Sequence, residues 1–186
     1  MKYRTIVADP PWEVRQPPKV FGASGNAPLP YRTMSIEEIA ALPIEQLAED
    51  RAHLYLWVVN RHIRHVYEIA ETWGFRISML LTWCKEPIGQ GPGYEFASTT
   101  EFILFARRGK ADYPPTMRID RNWWIWPRGV HSAKPEAFLD LVEQVSPGPY
   151  LELFARRQRL GWDTWGNEAL EHVALAAPFV REGAGR

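Results

Sequence analysis

The apolar run Thr5-Ile6-Val7-Ala8 stops at Asp9-Pro10-Pro11-Trp12, and no other junction in the chain constrains the fold as much. A short run without polar alternation suits a strand buried on both faces. Two consecutive prolines then end it, because neither can donate to a ladder and each fixes φ at about −65°. A carboxylate is left at the end of a strand, followed by stiff backbone and a flat indole. Such a group suits an amino group on a nucleobase. The lone pair of that nitrogen is drained into the ring, so the amino group must be gripped rather than deprotonated. Asp9 can accept one N–H and the carbonyl of Pro10 or Pro11 another, while Trp12 can stack on the base face. The plainer alternative is a Pro-Pro turn after a strand, with a Trp packed nearby.

The rest of the chain alternates helical and extended patterns. Ser35-Ile36-Glu37-Glu38 has the form of a capping box and predicts a helix toward Leu42, with Pro43 opening a further turn through Asp50. Residues 53–59 read as a buried strand. Asn60 predicts the cap of a helix from Arg61 to about Trp73, stopped by Gly74. Residues 75–84, 99–107 and 150–155 read as strands, and Ser132 and Pro135 predict a helix through Val145 with Phe138, Leu139 and Val142 on one face. Residues 13–32 and 88–96 read as long loops, a class that is often functional.

This order predicts an α/β fold with a mostly parallel sheet and helices on both faces. Ligands of such sheets sit beyond the carboxyl ends of the strands. Asp9, Lys85, Arg107 and Arg156 each end or follow a predicted strand, so they are expected at one face. The echo of Leu104-Phe105-Ala106-Arg107-Arg108 in Leu153-Phe154-Ala155-Arg156-Arg157 points the same way, or reflects only two buried strands with polar exits. One domain over residues 1–170 and a partly disordered tail over 171–186 are expected.

Composition removes several classes of function. Lys and Arg number 22 against 22 Asp and Glu, so no basic domain holds nucleic acid by bulk charge. Local cations remain: Arg15, Lys19 and Arg32 in the first loop, and Arg118, Arg121 and Arg128 beside a Trp-rich stretch. These can contact phosphates or be ordinary solvated charge. Cys84 is the sole cysteine, which excludes an internal disulfide and a cysteine-rich zinc site and fits a reducing cytoplasm. His62 and His65 are three apart, but no carboxylate completes a set, so no metal is expected. No run of about 18 apolar residues predicts a membrane span. The glycines at 89, 91 and 93 precede no helix, and neither a P-loop nor a nucleophile elbow occurs.

Further blocks follow the opening tetrapeptide in order. They are Leu29-Pro30-Tyr31-Arg32-Thr33-Met34, Leu54-Tyr55-Leu56-Trp57-Val58, Leu81-Thr82-Trp83-Cys84-Lys85 and Glu101-Phe102-Ile103-Leu104-Phe105. His131-Ser132-Ala133-Lys134-Pro135, Glu152-Leu153-Phe154-Ala155-Arg156 and residues 161–168 complete the series. Together they resemble the MTA-type adenine-N6 methyltransferases, the family of the messenger-RNA N6-methyladenosine writer's catalytic subunit and of many bacterial and phage DNA-modifying proteins. The resemblance implies a Rossmann-like, S-adenosylmethionine-dependent methyltransferase fold in which the catalytic block precedes the cofactor block. It implies that Asp9, Pro10, Pro11 and Trp12 form the catalytic group, and that Tyr31, Trp83, Lys85 and Glu101 surround the target base. Asp9 and Lys134 would meet the methionine end of the cofactor, and Arg156, Asn167 and Glu168 its adenosine end.

Some of these residues have a second reading from chemistry alone. Trp83 and Trp57 fit the core as well as the site. Glu101 fits an ion pair with Lys85 or Arg107, and Asn167 fits a helix cap. Larger members carry an upstream segment against the cofactor adenine, and only eight residues precede Asp9, so that segment is expected to be absent or replaced. The expected substrate is adenine in nucleic acid, DNA ahead of RNA. The alternatives are an RNA adenine-N6 methyltransferase and a non-catalytic nucleic-acid-binding subunit of the same fold. A cytosine amino-methyltransferase is a chemical neighbour, disfavoured by Trp rather than Tyr at position 12. With no separate recognition domain, a homodimer or an accessory recognition subunit would fit.

Overall fold

The computed structural model describes residues 1–13, 32–86, 95–110, 118–129 and 133–166. Strand β1 covers Tyr3–Ala8 and stops where the prolines require. Helix α1, Ile36–Ala40, opens on the predicted capping box: the Glu38 amide donates to Ser35 Oγ at 3.2 Å, and the Ser35 amide to Glu38 Oε2 at 2.8 Å. Helix α2 is confined to Ile44–Leu47, and the residues after it enter strand β2, Ala48–Val58. Asn60 does not cap a helix as expected; a 3₁₀ turn over Asn60–His62 leads into α3, Ile63–Thr72. Gly74 then stops the helix at φ +79°, a conformation that costs a residue with a Cβ.

Strands β3 (Arg76–Glu86) and β4 (Thr100–Arg108) follow, then β5 (Trp123–Pro127), helix α4 (Glu136–Val145), β6 (Tyr150–Leu153) and β7 (Trp162–Trp165). Sequence patterning gave no expectation for β5 or β7. Both are short and lie at the two edges of the sheet, where among the described residues one flank has no strand partner and continuous apolar character is not demanded.

Among the described residues the sheet has seven strands in the order β5-β3-β4-β2-β1-β6-β7. β1 runs parallel to β2 and β6, β6 to β7, and β3 to β5. Only β4 is reversed, antiparallel to both β2 and β3. That reversal corrects one expectation. Arg107, near the end of β4, pairs with His53 in the middle of β2 and Arg76 at the start of β3, so it lies toward the opposite end of the sheet from Asp9. Glu101, at the start of β4, comes to the carboxyl ends instead. The echoed pentapeptides therefore start on one row of the sheet, Leu104 and Leu153 both level with Ala8, but run in opposite directions, so they are not a structural repeat.

Each face of the sheet carries its own core. Ile6, Ala8, Leu54, Leu56, Val58 and Leu104 pack against Ile39 of α1 and Val66, Ile69 and Ala70 of α3. On the other face Val7, Tyr55, Trp57, Leu81, Trp83 and Ile103 pack against Phe138, Leu139 and Val142 of α4. The alternation along β2 that separates Leu54, Leu56 and Val58 from Tyr55 and Trp57 is the two-residue period of a strand. At the β5 edge Trp124 and Trp126 turn inward and stack at 5.4 Å, while Trp123 and Ile125 remain 50% and 58% exposed.

A buried polar trio closes the end of the sheet remote from Asp9. His53 Nδ1 and the Tyr55 hydroxyl both meet Ser146 Oγ, at 2.7 and 2.8 Å. Burial, aided by the charges of Arg107 and Arg4, pushes the His53 imidazole from 6.5 down to about 4. The unfolded chain therefore binds the extra proton between those values and the folded chain does not, so stability falls as the pH drops from 6.5 toward 4. Urea unfolding across that window should show a shallower loss for His53→Gln than for the parent.

Candidate active site

β1 delivers Asp9 to the carboxyl end of the sheet, and the Asp9 amide reaches the Leu153 carbonyl of β6 at 3.4 Å. Beyond it the tetrapeptide folds tightly on itself. The Trp12 amide donates to the Pro10 carbonyl at 2.8 Å, and the Met34 amide to the Pro11 carbonyl at 2.8 Å. Each proline carbonyl thus has one backbone donor and keeps a second lone pair.

Trp12 stands differently from the stacking platform expected of it. Its ring is 5% exposed, it belongs to the core shared with α1 and α3, and its Nε1 donates to the Trp57 carbonyl at 3.0 Å. His62 stacks against it with centroids 5.4 Å apart and planes 16° apart. A large ring next to an apolar core gains more from burial than from solvent exposure, so the indole works as an anchor.

On the opposite face a chain of charges crosses four elements. Lys134, in the loop just before α4, donates to Asp9 Oδ2 at 2.8 Å and lies 3.3 Å from Glu101 Oε2. Glu101 Oε1 accepts from Lys85 Nζ, on β3. Burial pulls the pKa of Lys134 down, but Asp9 and Glu101 outweigh it and hold the ammonium above the usual lysine range. Burial works against the Glu101 carboxylate in the same way, yet Lys134 and Lys85 keep its pKa lowered. Lys134 and Glu101 each hold the other in the charged form at neutral pH. The floor beneath them is aromatic: Lys134 Nζ sits 5.2 Å above the Trp57 ring and Lys85 Nζ 5.3 Å above Trp83. Trp83 is 2% exposed, donates through Nε1 to the Trp126 carbonyl at 2.9 Å and meets Trp57 edge to face. It lies under the ion pairs, within the core.

Arg156 follows β6 at the same end of the sheet. The chain there turns through Phe154 at φ 63°, held by the Ala155 amide donating to Trp165 at 3.2 Å. A Cβ on Gly166 would stand 2.5 Å from the Ala155 carbonyl oxygen, so glycine is needed where β7 passes this turn. Tyr31, Asn167 and Glu168 lie outside the described residues, as do Arg15, Lys19 and the tail. Among the described residues no cluster of His, Cys, Asp and Glu could hold a metal, and no helix is long and apolar enough to cross a membrane.

One polar group escaped the sequence reading. Glu152 faces the α4 side of β6, opposite Val7 of β1 and Thr164 of β7, and its Oε2 is buried without a hydrogen-bond partner. Burial raises its pKa to about 7; Arg157 opposes the rise, and Asp9 and Glu136 add to it. The signal was an acid inside the apolar strand Tyr150-Leu151-Glu152-Leu153, which nothing but a ligand or a buried partner would justify.

A mostly parallel sheet with helices on both faces and a charged array across its carboxyl ends is the layout of a Rossmann-like, ligand-binding α/β enzyme. The chain belongs to the MT-A70 family, which matches residues 3–168. It is 30% identical over 183 residues to the Type II methyltransferase M.MunI of a Mycoplasma species, covering 90% of this chain and 78% of that one. It is 29% identical over 192 residues to the human N(6)-adenine-specific methyltransferase METTL4, of which it spans 39%. With the N6-methyladenosine RNA methyltransferase MTA1 of Cryphonectria parasitica it shares 30% identity over 183 residues and spans 51% of that protein.

Glu152 yields a test of the site's electrostatics. The folded chain keeps its proton up to about 7 and the unfolded chain loses it near 4.5, so stability falls as the pH rises across that interval. Glu152→Gln should stabilise the ligand-free chain at pH 8 by on the order of 2 kcal/mol and have little effect at pH 4.5, measured by chemical unfolding.

Proposed function

We propose that this adenine-N6 methyltransferase takes its methyl group from S-adenosylmethionine and delivers it to adenine in DNA. The observation that carries the reading is the Asp9–Lys134–Glu101–Lys85 array at the carboxyl ends of the sheet, in a chain of the MT-A70 family. Asp9 Oδ2 is engaged by Lys134, and Oδ1 would accept one N–H of the adenine amino group, with the second lone pair of the Pro10 carbonyl accepting the other. Both acceptors sit on backbone stiffened by prolines, which favours a fixed angle of attack. Glu101 and Lys85 would border the base, and Trp57 and Trp83 keep the floor dry.

The residues present fit the cofactor. Lys134 suits a carboxylate and Asp9 an ammonium, and the orphan oxygen of Glu152 is a buried acceptor near enough to Asp9 to feel its charge. When bound, S-adenosylmethionine would supply a methyl group on a sulfonium, whose sulfur would keep the C–S electron pair as the methyl passed to nitrogen. Asp9, hydrogen-bonded to the amino group, would stabilise the positive charge developing there until the surplus proton passed to solvent. Arg156, with Asn167 and Glu168, would serve the adenosine end.

The choice of DNA follows coverage: the chain spans most of the Type II methyltransferase and about half of the relative named for RNA. A duplex adenine would have to be flipped out at a cost of a few kcal/mol, so single-stranded or distorted sites should react faster. The single Cys84 is consistent with work in a reducing cytoplasm.

Incubation with methyl-labelled S-adenosylmethionine and, separately, duplex DNA, single-stranded DNA and RNA, followed by nucleoside mass spectrometry, tests the reading. N6-methyladenine in the DNA pools is expected, with a loss of at least about 10³-fold in Asp9→Ala. That variant should still fold through Glu101 but melt at a lower temperature, because Lys134 loses one of its two carboxylates. Label confined to RNA would replace DNA as substrate. A folded Asp9→Ala variant that still methylates would remove Asp9 from the chemistry.

A further inference from the structure

The tetrapeptide is held from outside by one side chain that belongs to no part of the charged array. His62 lies in the 3₁₀ turn that follows β2, and its imidazole makes two separate contacts with the segment leaving Asp9. The ring covers Trp12, 5.4 Å between centroids and 16° between planes. Its Nε2 lies 2.8 Å from the Glu13 carbonyl oxygen, which can only accept, so the histidine is the donor. Trp12 is also fixed to β2 through the Trp57 carbonyl, three residues before the turn begins at Asn60.

The result is a closed bracket. β2 holds the indole by its N–H, the turn after β2 holds its face, and the same imidazole holds the next peptide group. The two acceptors proposed for the adenine amino group, Asp9 and the Pro10 carbonyl, sit within this bracket. The Trp12 amide that bonds the Pro10 carbonyl belongs to the residue His62 covers. His62 itself is partly exposed and outside both cores, so its removal costs folding little. In-line transfer tolerates little misplacement; about 1 Å is worth on the order of 10²-fold in rate.

We propose that His62 is a positioning residue for methyl transfer, acting through Trp12 and Glu13 to hold the Asp9–Pro10 acceptors in line. This rests on the adenine-N6 reading of the same site. His62→Ala should lower kcat by about 10- to 100-fold. Its melting temperature should stay within a few degrees of the parent, and its dissociation constant for S-adenosylhomocysteine within about threefold. His62→Phe, which keeps the stack, and His62→Gln, which keeps a donor, should each recover part of the loss.

Amide hydrogen exchange gives a readout independent of turnover. In His62→Ala the Trp12 and Met34 amides, which close the tetrapeptide turn, should exchange at least about tenfold faster while the β1 and β2 amides do not change. Unchanged exchange at Trp12 and Met34 overturns the proposal, as does an unchanged kcat in an active parent. A melting temperature that falls in proportion to kcat also overturns it, since the role would then be structural. A parent inactive on every nucleic acid would count against the function proposed above, while the exchange experiment would still decide whether the bracket exists.

Discussion

Lys134 cannot be buried alone. A desolvated ammonium costs several kcal/mol unless opposite charge stands beside it, and here two carboxylates do so, Asp9 at 2.8 Å and Glu101 at 3.3 Å. One comes from the end of β1 and the other from the start of β4, with β2 between them. The pairing is satisfied only if those strands and the loop before α4 arrive together. Arg157 adds to this by donating to the Lys134 carbonyl at 3.3 Å. Neutrality at one nitrogen thus fixes the relative placement of elements far apart in sequence. Trp57, under that nitrogen, ties the same point to the core.

The tetrapeptide divides its labour between the two faces of the sheet. Trp12 sinks into the core below α1 and α3, whereas Asp9 meets partners on the α4 side. A carboxylate at a strand end would ordinarily swing in solvent. Here the prolines remove the swing and the indole supplies a fixed point a few residues later. Rigidity at the acceptor and burial at the anchor are one design.

Much of this was legible in the residues. β1 and its abrupt stop, the capping box at Ser35, the left-handed Gly74 and the apolar face of α4 were all written in local chemistry. The charges at Asp9, Lys85, Glu101 and Lys134 were identifiable, but not that one ammonium would be shared by two acids. Sharing depends on the reversed β4. That reversal had a signal: residues 75–84 and 99–107 read as strands with no helix between them, and parallel neighbours need a crossover of a dozen or more residues. Arg107 was misplaced because the parallel pattern was extended across this pair. Trp12 was misread because its chemistry suits stacking and burial equally, and only the position of the Trp57 carbonyl decides. Glu152 was passed over within an apolar strand, since its isolation is visible only once α4 covers it.

The outermost strand on the β3 side carries a different consequence. Among the described residues, β5 has no neighbouring strand on its outer side, and it shows Trp123 and Ile125 to solvent. An open apolar edge of that kind is a template on which other chains can polymerise. It is short, it ends in a proline that offers no N–H, and the exposed Arg121 and Arg128 flank it with positive charge. These features act as gatekeepers against edge-to-edge growth. Their removal would be felt first as lost solubility during expression, before any change in catalysis.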